Sequence, residues 1–84
     1  MVTVKLFGTL RVDSGVKEFS AEAENVRELY PLILQEIRTE KPDSNVTEKT
    51  LRACLVAVNG KQVSPRTKLQ DGDTVYLFPA VAGG

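Results

Sequence analysis

The feature that most constrains this 84-residue chain is an apolar stripe in its middle, where Val26, Leu29, Tyr30, Ile33, Leu34 and Ile37 recur at i, i+3, i+4 and i+7. That spacing lines one side of a helix, and such a stripe must be buried against another element. Asn25 stands where an N-cap belongs, and Glu28 follows three residues later in the position of a capping-box acid. Pro31 falls on the face away from the stripe, so a bend is expected there and not an end. Lys41-Pro42-Asp43 closes the segment.

The segments around the helix read as strands. Val2, Val4 and Leu6 alternate with Thr3, Lys5 and Phe7, as a half-buried strand requires, and Gly8 ends the run. Gly15 precedes a second short strand around Val16 to Phe19, expected to pair with the first as a hairpin with an irregular loop. A polar connector follows the helix, with a helical turn near Thr47 to Leu51. Cys54-Leu55-Val56-Ala57-Val58 is β-rich, and Asn59-Gly60 separates it from Lys61-Gln62-Val63. Both residues of that pair accept the positive φ of a type I′ turn, the strongest short hairpin signal available. Asp71-Gly72-Asp73 marks another turn before a last strand, Thr74 to Phe78, with Val75 and Leu77 inward. The expected fold is α+β: a small mixed sheet with one face covered by one main helix.

Composition narrows the chemistry. Eleven basic residues balance eleven acidic ones, which gives no reason to expect nucleic acid or an anionic membrane as partner. With no histidine, most general-base, triad and metal-site chemistry is excluded, and a single cysteine allows no internal disulfide. No run approaches the ~20 apolar residues of a membrane span, and the N-terminus has no signal-peptide pattern. A cytoplasmic, soluble protein with no bound cofactor and no metal is expected.

After Phe78 the sequence ends Pro79-Ala80-Val81-Ala82-Gly83-Gly84. Proline cannot donate to a sheet ladder and so terminates the strand. Residues 1–78 are therefore expected to fold and residues 79–84 to form an extended tail, reaching roughly 20 Å at ~3.3 Å per residue. A frayed end is the ordinary alternative. This tail, however, is apolar and poor in side chains, and two glycines without Cβ atoms suit a narrow channel.

From Val56 onward the chain resembles the ubiquitin-like sulfur carriers. The residues that carry the resemblance are Val56-Ala57-Val58-Asn59-Gly60, Val63, Leu69-Gln70-Asp71-Gly72-Asp73-Thr74-Val75, Phe78-Pro79 and Val81-Ala82-Gly83-Gly84. Lys5-Leu6-Phe7 and the central helix extend it over nearly the whole chain. Phe78-Pro79 is most similar to the molybdopterin-synthase small subunits, with the thiamine-pathway carriers as near relatives; Ala80 departs from the second proline common in the former. The resemblance implies a β-grasp fold and a carrier that is not itself an enzyme. It implies that an E1-like adenylating partner, using ATP, activates Gly84, and that a sulfur donor protein converts it to a thiocarboxylate. The sulfur is then spent in molybdopterin synthesis beside a large synthase subunit, in a heterotetramer. A ubiquitin-like modifier joined to lysines through Gly84 and a plain interaction domain with an idle tail are the alternatives of other classes.

Phe7, Tyr76 and Phe78 share the alternation face opposite Val4, Leu6, Val75 and Leu77. They form either a partner surface, which the aromatic enrichment of interfaces favours, or a second small core under loops. The resemblance assigns Phe7 and Phe78 to docking on the large subunit, with Tyr76, Pro79 and Val81 beside them and Gly83 next to the reactive Gly84. Gln62 stands where an apolar residue is often found, which weakens or changes that dock. Cys54 is expected to be a small core hydrophobe and not the sulfur-bearing group. Asp71 and Asp73 are expected to serve the turn.

Overall fold

The computed structural model describes residues 1–79. Of the expected tail, residues 79–84, all but Pro79 lies outside the described residues, Val81, Gly83 and Gly84 included. Five strands, β1 (Val2–Leu6), β2 (Glu18–Ala21), β3 (Leu55–Val58), β4 (Lys61–Gln62) and β5 (Thr74–Phe78), form one sheet in the order β2-β1-β5-β3-β4. The central pair β1 and β5 is parallel and the other pairings are antiparallel. A helix α2 (Leu29–Glu40) supplies the apolar layer against one face. A mixed sheet with its N- and C-terminal strands side by side and one main helix across it is the β-grasp arrangement.

The core follows the two periodicities. Val2, Val4 and Leu6 alternate inward from β1, Val75 and Leu77 from β5, and Val56 from β3. Against them lie Val26, Leu29, Tyr30, Ile33 and Ile37, with Leu34 packed half-buried at the margin. Ile33 is fully inaccessible, so its truncation to alanine leaves a cavity worth about 2–5 kcal/mol. The Asn59-Gly60 turn has the geometry its sequence predicts: φ is +52° at Asn59 and +87° at Gly60, and Val58 pairs directly with Lys61. A short helix α3 (Glu48–Arg52) occupies the expected helical turn, capped by Thr47, whose Oγ1 accepts from the Thr50 N–H at 3.3 Å.

Four local expectations are corrected. The loop between β1 and β2 is a helix, α1 (Gly8–Ser14), closed by Gly15 at φ +71° with its N–H on the Arg11 carbonyl. Only Leu10 and Ser14 of α1 are buried and Val12 points to solvent, so no apolar stripe announced it. Consequently β2 begins at Glu18, two residues later than read, because the Val16 N–H is held by the Ser14 Oγ at 3.1 Å. At the main helix the Asn25 side chain does accept from the Glu28 N–H at 3.0 Å. The Glu28 carboxylate, though, accepts from the Glu24 N–H and not from the cap residue's own. Pro31 bends nothing mid-helix: Val26–Glu28 form a 3₁₀ turn and Pro31 is third in α2, in the first turn, where a missing N–H costs little.

Candidate functional site

The parallel alignment of β1 with β5 brings the chain's first and last aromatic positions together. Leu6 pairs with Leu77, and the Phe7 N–H extends that ladder by donating to the Leu77 carbonyl at 3.1 Å. Phe7 therefore leaves β1 beside Phe78. Tyr76 and Phe78, two apart on β5, project from the same face. The three rings stack, with Phe7 4.8 Å from Phe78 and 5.7 Å from Tyr76, centroid to centroid. The face is the one opposite α2. Phe78 is 39% exposed, whereas true core residues here are 8% or less, so the rings form an open surface and not a second core.

A neighbour missed in the sequence belongs with them. Leu55 stands directly opposite Phe78 across β3 and β5 and is 49% exposed. Its strand reads as a continuous apolar run, which conceals which residues face outward; the register with Phe78 settles it. Gln62, paired with Ala57 at the sheet edge, is exposed. At the polar end of the face the Lys5 ammonium lies 6.0 Å from the centre of the Tyr76 ring.

Pro79 follows at once and is half-buried against the start of α1. Gly8 has φ +61°, and a Cβ built there meets the Pro79 Cγ at 3.1 Å and Cδ at 3.3 Å. Gly8, which the sequence marked only as the end of β1, is thus the residue that lets the end of β5 lie close over the turn after β1. A hollow of about 150 Å³ beside Pro79 is lined also by Leu10, Asp13 and Cys54. The Cys54 thiol donates to the Thr50 carbonyl at 3.3 Å, and burial pushes its pKa up. A protonated, hydrogen-bonded thiol packed on the core margin has a structural role.

The two acids of the turn have local work. The Asp73 carboxylate accepts from the Gln70 N–H at 2.8 Å and from the Asn59 amide at 2.9 Å, while the Asn59 Oδ1 accepts from the Thr74 N–H at 3.0 Å. These bonds tie the Asn-Gly turn to the entry of β5. Asp71 pairs with the Met1 ammonium, which holds its carboxyl below the ordinary range. No group of three or more His, Cys, Asp or Glu that could hold a metal exists among the described residues. Nor is any helix among them long and apolar enough to cross a membrane.

Among the described residues the arrangement is an aromatic face at the point where β5 ends, with no constellation of acid, base and nucleophile. Comparison with known proteins agrees with that reading. The sequence model of the ThiS family matches residues 4–84. A Pyrococcus furiosus chain assigned as molybdopterin converting factor subunit 1 is 34% identical over 95% of this chain and 97% of its own, with a TM-score of 0.69. In the protein–protein complex of subunits 1 and 2 of molybdopterin-converting factor from Helicobacter pylori 26695, the matching chain is 32% identical, with 99% and 97% covered and a TM-score of 0.59. Small archaeal modifier protein 1 from Methanosarcina acetivorans is 25% identical, with 99% and 95% covered and a TM-score of 0.73. No curated protein matches the chain by sequence. With a family match that spans almost its full length, the chain belongs to the ThiS family, the small ubiquitin-like sulfur carriers that are not themselves catalytic.

Proposed function

We propose that the chain is the small subunit of a molybdopterin synthase and carries sulfur as a thiocarboxylate on Gly84. The observation that carries this reading is the stack of half-buried Phe7 and Tyr76 with exposed Phe78, extended by exposed Leu55, around the end of the strand that runs directly into Pro79. An apolar face so placed docks a partner and at the same time aims the following residues at that partner's interior. Among solved structures more than 30% identical, one is assigned as molybdopterin converting factor subunit 1 and another is the complex of subunits 1 and 2, which favours a large synthase subunit as that partner.

The chemistry asks little of this chain. A terminal carboxyl, with a pKa near ~3.5, is an anion at neutral pH and inert toward incoming sulfur. An adenylating partner uses ATP to join AMP to it, with release of pyrophosphate. Sulfide-level sulfur from a sulfur donor protein then attacks the acyl carbon, AMP departs, and the thiocarboxylate remains. Its sulfur attacks as a nucleophile held by a tether, and docking of the aromatic face supplies the proximity. Acid and base groups belong to the partners, consistent with a chain that has no histidine.

A second reading is favoured by the likeness to small archaeal modifier protein 1: Gly84 joined to lysines of other proteins. Affinity purification from the native host distinguishes them. The first reading expects a molybdopterin synthase large subunit in the eluate. Gly-Gly remnants on lysines of other proteins, without that subunit, favour the modifier; a thiazole synthase in its place overturns the pathway.

A further inference from the structure

The two edges of the sheet differ. β4, at one edge, is two exposed residues long, whereas β2, at the other, is four residues long and borders a groove against α2. The groove measures about 360 Å³. Phe19, Ala21 and Leu32 put an apolar patch in a lining that also holds Ser20, Gln35 and Thr39, and among the described residues its ionisable groups, Glu22 and Glu36, are both acids. Along the inner side of β2 the Leu6 N–H donates to the Lys17 carbonyl at 3.0 Å, and Val4 pairs with Phe19 and Val2 with Ala21. Antiparallel pairing alternates, so Glu18 and Ser20 turn their N–H and C=O groups to the outer edge. No loop or turn among the described residues takes them up.

We propose that this edge is a strand-addition site for an extended segment of a partner protein in which apolar and basic residues alternate. An added antiparallel strand exchanges both backbone hydrogen bonds at the positions opposite Glu18 and Ser20. Side chains at those positions emerge on the open face beside the Glu18 carboxylate, which selects a basic residue. Their neighbours, opposite Phe19 and Ala21, enter the groove between strand and helix, where the patch of Phe19, Ala21 and Leu32 accepts apolar residues and the two acids favour a cationic segment overall. A second copy of this chain is the poorer occupant, because pairing β2 with β2 sets Glu18 against an edge that carries the same charge. β1 separates the site from Tyr76 and Phe78, so a peptide bound here leaves the aromatic stack on β5 uncovered.

The test is a titration of the ¹⁵N-labelled full chain with the capped peptide acetyl-Val-Lys-Val-Lys-Val-amide, followed by amide chemical shifts. Saturable shifts are expected at residues 17–22 and at Leu32, Gln35 and Glu36. Replacing both peptide lysines with glutamate should weaken binding at least tenfold. So should N-methylation of the two lysine amides, which removes the peptide's donors without altering the protein. Ser20→Pro, which deletes an outward N–H at an edge where proline is tolerated, should abolish the shifts. Four outcomes overturn the proposal: no saturable shift at millimolar peptide, shifts centred on Tyr76 and Phe78, equal binding of the glutamate peptide, or equal binding of the N-methylated one.

Discussion

Replacing Gly8 with alanine perturbs the place where Pro79 packs over the turn after β1, and its cost can be worked from two separate causes. The backbone there has φ +61°, and an L-residue in that left-handed region loses about 1–2 kcal/mol. The added Cβ also lies 3.1 Å from the Pro79 Cγ, tighter than ordinary contact, and such overpacking adds roughly 1 kcal/mol or more. Gly8→Ala should therefore destabilise by about 2–3 kcal/mol, at roughly 4–8 °C of Tm per kcal/mol in a domain of this size. The two causes separate in a cycle with Pro79→Ala, which removes the ring atoms that the Cβ meets. In that background only the backbone cost of about 1–2 kcal/mol should remain, leaving a coupling of about 1 kcal/mol. Urea unfolding followed by circular dichroism measures all four proteins. Equal cost of Gly8→Ala in both backgrounds would refute the contact with Pro79, and a cost below ~0.5 kcal/mol would refute the strain argument as well.

Three further outcomes are expected. Phe78→Ala should weaken binding to a molybdopterin synthase large subunit by at least about 2 kcal/mol, or roughly 30-fold in Kd by calorimetry, since centrally placed aromatic residues dominate interfaces; unchanged affinity counts against the aromatic face as the dock. Tyr30→Phe should leave stability unchanged or raise it by up to ~1 kcal/mol in urea unfolding, because the Tyr30 hydroxyl is buried without a partner among the described residues; a clear loss means that water or another group serves it. Burial raises the Cys54 pKa, so the folded chain retains the thiol proton where the unfolded chain loses it. Stability from that site is present below the unfolded value of 9.0 and declines as pH rises through the folded one. Iodoacetamide alkylation should accordingly reach half-maximal rate at higher pH in the folded chain than in urea, and the reverse order would contradict the packing role.

What the sequence made legible was whatever repeats or needs a special residue. The α2 stripe, the alternation of β1 and β5 and the Asn59-Gly60 turn each express one physical rule locally, and each appears where it was expected. Phe7, Tyr76 and Phe78 could be set on one face by counting alternate residues. That they stack, with Phe7 nearest both others, depends on the parallel register of β1 with β5, a pairing between residues some 70 positions apart that no local pattern encodes. Leu55 stayed hidden for the same reason, and α1 because a two-turn helix with a single buried apolar side chain has no period to detect. Gly8 read as a strand terminator; its closeness to Pro79 belongs to the tertiary fold.

The most direct test is the mass of the intact chain after incubation with its adenylating partner, ATP and a sulfur donor. The account predicts a shift equal to one sulfur replacing one oxygen, located by fragmentation at Gly84 and abolished by one residue added after it. An unshifted chain under conditions that load a known carrier, or sulfur found on Cys54 instead, would contradict it.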